Sequence, residues 1–221
     1  MADHISPEHD RYLTDENLET AYVRLLELFS EFGIPGTFAF VMAFALSPLE
    51  YRQFGDLIRD AEIGGGNWLR HFRRQISEGN VAGWFGGHVF DQVRRRPEHE
   101  IACHSFSHLP FNDRLVDRSR AREELTSAAT VAQSKGVDLK TFVFPRNLVA
   151  HVDLLAEAGY FGYRDALVRT GGAFGRKFAA LGEYNIFTRA QPHGVERAGV
   201  RVIPAGRFFN WRHGVRRAIP K

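Results

Sequence analysis

Short apolar runs alternating with helix-patterned segments predict an α/β protein with parallel strands, arranged as a barrel or an open sheet. Three features of the sequence carry this expectation. Runs rich in aromatic and β-branched residues recur, bounded by Gly or Pro, as at 37–43, 100–103, 141–144 and 200–204. Between them, apolar residues return at helical spacing. The run 37–43 is apolar at consecutive positions rather than alternate ones, the mark of a strand buried on both faces of a parallel sheet.

The first expected helix contains Leu18, Ala21, Tyr22, Leu25, Leu26, Leu28 and Phe29 on its repeat. Thr14 to Asn17 supply capping side chains, and Gly33 stops it. Pro35 and Gly36 then open the strand at 37–43. From 47 to 74 no clear pattern emerges. The triplet Gly64, Gly65 and Gly66 lacks the spacing and following Lys of a phosphate loop and reads as a flexible turn. A short helix is expected over 89–95, before Pro97, and a strand over 100–103. The longest helix is expected over 115–134, stopped by Gly136. A strand at 141–144, a turn at Pro145, Arg146 and Asn147, and a helix from Val149 to Gly159 follow. Segments 160–164, 184–188 and 200–204 are further short strands.

Composition narrows the function classes. At 221 residues and 44% hydrophobic content, the chain suits one domain, 1–221. A single Cys excludes a disulfide framework and a multi-thiolate zinc site, and Cys103 reads as a small core residue. Residues 1–10 show no secretory signal, and no apolar run is long enough to span a bilayer, so a soluble, cytoplasmic protein without membrane partners is expected. The net charge of +3 is mild, and only the last 21 residues are distinctly basic, a solvated face or a contact for an anionic partner. Phe208, Phe209 and Trp211 stand among arginines without a recognisable nucleic-acid motif, so no nucleic acid is expected. Trp68, Trp84 and Trp211 read as core or half-buried residues rather than sugar-stacking platforms, and His88 as a loop histidine.

The chemistry is expected where the strand 100–103 ends in His104 and His108. Pro110 pushes Leu109 out of the helical region, which places both imidazoles on a tight connection leaving a strand. Two histidines at i and i+4 can share a divalent ion, with a carboxylate as the usual third ligand. The pair alone is a weak signal among ten histidines. Its place at the carboxyl end of a parallel strand strengthens it, because α/β folds carry their active sites there.

The segment from Glu100 to His108 resembles the His-Ser/Thr-x-x-x-His metal motif of the polysaccharide deacetylase family, the chitin, peptidoglycan and nodulation-factor deacetylases, although read strictly the spacing here is His104-Ser105-Phe106-Ser107-His108, with three residues between the histidines. Gly33, Ile34, Pro35, Gly36, Thr37 and Phe38 resemble the family's approach to its second strand. Thr141 to Asn147 resemble the strand bearing its Arg/Pro motif, although here Arg146 follows the proline rather than preceding it. Gly159, Tyr160, Tyr163 and Arg164 match the next element, and the resemblance covers about residues 12–205.

The resemblance implies a distorted (β/α) barrel and metal-dependent hydrolysis of N-acetyl or related amide-linked acyl groups on an amino sugar or polysaccharide. It implies His104 and His108 as ligands of a divalent ion, most simply zinc. By position, Asp10 is the candidate third ligand and Glu8 the candidate base, in place of an Asp-Asp pair that ends the family's first strand. Arg146 is the candidate to orient the base or meet substrate. The family's late histidine, which protonates the leaving amine, has no match after Val200; His193 and His213 both read as loop residues.

Both ends read as unfinished. A barrel lacking its first and last strands exposes two sheet edges, so either truncation or an edge paired in a homo-oligomer is expected. The rival reading is a metal- or carbohydrate-binding relative without a complete acid/base pair.

Overall fold

The computed structural model describes residues 14–165 and 194–205. In order, its elements are α1 (Asp15–Glu31), β1 (Thr37–Phe40), α2 (Pro48–Phe54), β2 (Glu62–Ile63), β3 (Gly66–Asn67), α3 (Arg70–Ser77), α4 (Gly87–Arg94), β4 (Glu100–Cys103), α5 (Arg118–Ser134), β5 (Thr141–Val143), α6 (Val152–Glu157), β6 (Gly162–Arg164), β7 (Glu196–Arg197) and β8 (Val200–Ile203). Six strands form one sheet in the order β1-β4-β5-β6-β8-β7. All neighbours pair in parallel except β7 with β8. Helices fill the crossovers from β1 to β4, from β4 to β5 and from β5 to β6. This is the α/β class with parallel strands that the alternation predicts.

α1 starts where its capping residue says it should: the Thr14 hydroxyl accepts from the Asn17 N–H. Its packed stripe is narrower than the periodicity suggests. Leu26 is fully buried and Tyr22 and Phe29 lie against β1, with Tyr22 5.9 Å from the Phe40 ring and Phe29 5.8 Å from Phe38. Leu25 and Leu28, on the expected repeat, are exposed, because one sheet face covers only one stripe of a helix.

β1 stops at Phe40, three residues before the apolar run does. The remainder turns beneath the neighbouring loop, where Met42 and Ala43 donate their N–H groups to the carbonyls of Ser105 and Phe106. The run is apolar because it is buried, yet its hydrogen bonds go to a loop instead of a strand.

The stretch without a clear pattern holds two helices and a hairpin. α2 begins with a capping box, Ser47 and Glu50 each bonding the other's backbone N–H, with Pro48 in the first turn. The glycine triplet is tighter than a flexible turn: Gly64 and Gly65, with φ of 62° and 83°, are the two-residue loop of the β2–β3 hairpin. Only glycine takes two such positions without strain. α3 follows, burying Phe72 against the rings of Tyr51 and Trp84.

Trp68 and Trp84 are buried, as the sequence suggests, whereas His88 belongs to α4 and not to a loop. α5 begins at Arg118, capped by Asp117, rather than at 115. α6 begins at Val152, because His151 is left-handed (φ 55°) and cannot sit inside a helix. The expected strand 184–188 lies outside the described residues, as do His193, His213, Trp211 and the basic 206–221. No helix among the described residues is long and apolar enough to cross a membrane.

Candidate functional site

β4 lies between β1 and β5, so whatever leaves its carboxyl end is held on both sides. The loop 104–111 is buried almost throughout. It is anchored to one side by the His104 N–H, which donates to the Phe40 carbonyl at 2.7 Å, and by the Met42 and Ala43 N–H bonds to its own carbonyls. Ser105 and His108 take left-handed backbones, φ 60° and 61°. Such positions cost about 1–2 kcal/mol each in non-glycine residues and are kept only where the surroundings impose them.

What imposes them is Glu124. This glutamate sits on the inner face of α5 with Ala121, Leu125, Ala128, Val131 and Ala132, and is 1% exposed. Its carboxylate accepts from the Phe106 N–H (3.1 Å), the Ser107 N–H (2.8 Å) and the Ser107 hydroxyl (2.7 Å). On the outer side it meets Arg120 at 3.4 Å. The sequence reading missed Glu124. The signal was available: it is an acid in the middle of an otherwise small and apolar helical stripe, a place an acid occupies only with partners.

The clamp brings the two imidazoles together. Nε2 of His108 lies 3.1 Å from Nε2 of His104, with ring centroids 4.8 Å apart. His104 Nδ1 is 2.7 Å from the Val143 carbonyl of β5. A carbonyl only accepts, so His104 carries its proton on Nδ1 and turns the lone pair of Nε2 toward His108. Metal-binding histidines are commonly oriented in this way, with one nitrogen tied to a carbonyl and the other turned toward the ion.

The spacing also fits. Two nitrogens bound to one ion at about 2.0–2.1 Å, subtending about 90–110°, stand about 2.9–3.4 Å apart. A hydrogen bond from His108 to His104 would show the same separation. Among the described residues, no group of three His, Cys, Asp or Glu is gathered around the pair. The expected third ligand, Asp10, and the expected base, Glu8, lie outside the described residues.

Arg146 is at the same end of the sheet, three residues beyond Val143, in the turn after β5. It is left-handed (φ 55°) and exposed, and its guanidinium lies over the Trp68 ring, 4.7 Å from the centroid. With Ile63, the three glycines of the hairpin, Asn67, Trp68, Arg70, His71 and Arg74, it borders a cavity of about 500 Å³. Arg70, His71 and Arg74 were not singled out by the sequence, since a basic run on a short helix resembles any solvated face.

Cys103, immediately before His104, is fully buried. Burial foremost, with the charge of Glu124, pushes its thiol up to about 12, against hydrogen bonding with Tyr160 and the Ser105 backbone. It is a core residue, not a nucleophile.

No protein-family model matches the chain, and no curated protein matches it in sequence.

Proposed function

We propose that this chain is a metal-dependent hydrolase of the polysaccharide deacetylase type, folded as a distorted (β/α) barrel, that removes N-acetyl or related amide-linked acyl groups from an amino sugar or polysaccharide. The observation that carries the reading is the histidine pair. Its two Nε2 atoms converge to 3.1 Å at the carboxyl end of a central parallel strand, and one ring is oriented through a backbone carbonyl.

In this reading His104 and His108 hold a divalent ion, most simply zinc, with Asp10 as third ligand. When bound, the ion activates water and polarises the amide carbonyl. Glu8 takes the proton from the attacking water. Arg146 meets the substrate near the Trp68 face. Glu124 keeps the loop in the conformation that makes the two rings converge.

Metal analysis of the purified chain and acetate release from N-acetylglucosamine oligomers test the reading together. A bound divalent ion is expected, lost in the His104→Ala/His108→Ala variant. Acetate release is expected to fall about 10²–10⁴-fold in Glu8→Gln and to be lost in Asp10→Asn. A chain that binds no divalent ion overturns the metal reading. Bound ion without acetate release points instead to a binding relative that lacks catalysis, and activity untouched by Asp10→Asn removes Asp10 from the site.

A further inference from the structure

Among the described residues, the polar side chains that border the cavity beside Arg146 are rich in hydrogen-bond donors. Asn67 spends its carbonyl oxygen on the Leu69 N–H at 2.8 Å, which leaves its amide NH₂. His71 Nδ1 lies 3.1 Å from the Arg74 guanidinium. Arginine can only donate, so Nδ1 is the acceptor in that contact. Arg70, Arg74 and Arg146 add guanidinium forks, and among the described residues no Asp or Glu borders the cavity.

The neighbouring arginines are treated differently. Arg73 pairs with Asp60, Arg59 with Glu123, and Arg120 with Glu123 and Glu124. No carboxylate among the described residues pairs with Arg70, Arg74 or Arg146. Charge also runs against helix stability here. α3 has no acidic residue in its first turn and no capping side chain at Leu69, and it begins with Arg70 at its positive end.

The guanidiniums are placed rather than merely solvated. Arg146 lies over Trp68, and the Arg70 side chain packs so closely on the hairpin that a Cβ on Gly66 would stand 3.0 Å from its Nη2. Three like charges around one concavity repel each other unless an anion lies among them.

We propose that this cavity binds an oxyanion, a phosphate or carboxylate group, through the guanidinium forks of Arg70, Arg74 and Arg146 with the amide N–H groups of Asn67. Forks of this kind match the paired oxygens of either group. The cavity and the histidines both lie at the carboxyl end of the sheet, joined by the β5 turn. The ligand is therefore the acidic group of an anionic saccharide whose acyl amide reaches His104 and His108; that second half rests on the hydrolase reading, whereas anion binding does not.

Inorganic phosphate and glucuronate, titrated separately against the full chain, test it, with N-acetylglucosamine as the neutral control. Calorimetry and tryptophan fluorescence are the readouts, the latter because Trp68 lies beneath Arg146. Saturable binding of at least one anion is expected, weakening with added salt. The titrant that binds identifies phosphate or carboxylate as the group recognised.

Affinity should fall about tenfold or more, roughly 1.4 kcal/mol, in Arg70→Gln/Arg74→Gln. Both are exposed side chains whose loss leaves the core intact. Arg74→Lys keeps the charge and loses the fork, so it should also weaken binding. Binding should persist in His104→Ala/His108→Ala, which separates this site from the metal reading. The proposal is overturned if neither anion binds saturably, if the arginine variants bind as the parent does, or if the histidine variant abolishes binding.

Discussion

The histidine loop and the cationic cavity flank the same turn after β5 and both rely on left-handed backbone, yet they solve opposite problems. The hairpin at the cavity takes its positive φ values with Gly64 and Gly65, where they cost little. The loop takes them with Ser105 and His108, and is held there by a buried carboxylate. One region is buried and braced from within, so its geometry exists before any ligand arrives. The other is open, and its guanidiniums have no carboxylate among the described residues. Preorganisation of this kind belongs where chemistry needs fixed atoms. An open ring of donors belongs where a ligand completes the site.

The largest test of that contrast is Glu124→Ala. Removing it strands the Phe106 and Ser107 donors in the interior and leaves Arg120 without its buried partner, at a cost of about 3–5 kcal/mol. Urea unfolding measures it. Glu124→Gln keeps the volume but turns an NH₂ toward donors, and should lose about 1.5–3 kcal/mol. A loss below about 1 kcal/mol in Glu124→Ala would mean the loop braces itself without the clamp.

The next test uses Cys103 as a gauge of the same buried region. Its thiol ionises near 12 when folded, against about 8.5 in an unfolded chain. Between these values the unfolded state has lost a proton that the native state keeps, so stability falls as pH rises. The slope from this group is about 1.4 kcal/mol per pH unit at most, over roughly pH 9 to 12. Cys103→Ala should flatten the alkaline limb of stability against pH by that amount. An unchanged slope would show that water reaches the thiol and that the loop is looser than its bonds imply.

Much of this was legible in the sequence for physical reasons. β4 and the position of the histidine pair followed from a short apolar run bounded by turn formers, and α1 and α5 from their repeats. The loss of pattern over 47–74 came from elements too short for periodicity: β2 and β3 are two residues each, and α2 has seven. There the readable signals were local ones, the Ser47–Glu50 capping box above all. Glu124 and the arginine cavity were hidden for a different reason. A buried acid and a cationic cavity are defined by what the fold places opposite them, and one chain read in order shows no opposites.

At the hairpin, Gly65→Ala probes the cavity side of the contrast. At φ 83° a Cβ is strained by about 1–2 kcal/mol, although the space around it is open. Thermal unfolding should register about 1 kcal/mol or less, because a two-stranded ribbon relaxes locally. The same change should weaken anion binding, since it shifts the hairpin on which Arg70 packs. Weaker binding with no loss of stability would sharpen the view of the cavity as an open, ligand-completed region.

The smallest effect expected joins the two regions. Lys135, at the end of α5, meets Glu50 in the first turn of α2 at 2.6 Å, and so ties the helix carrying Glu124 to the segment leading into the hairpin. Burial alone would raise the Glu50 carboxyl. The Lys135 hydrogen bond, the Ser47 N–H and hydroxyl, and the Lys135 charge together outweigh it and hold the group below its ordinary value. A depressed carboxylate contributes stability that is complete above its unfolded value, about 4.3, and is lost as pH falls through the lower folded value. Glu50→Gln should therefore cost about 1 kcal/mol or less at pH 7. The difference from the parent should close in acid, below the depressed folded value, once both chains carry a neutral group at this position. Urea midpoints at the two pH values measure it. A gap that persists in acid, where the parent's Glu50 is also neutral, would show that the contribution does not come from the charged pair with Lys135.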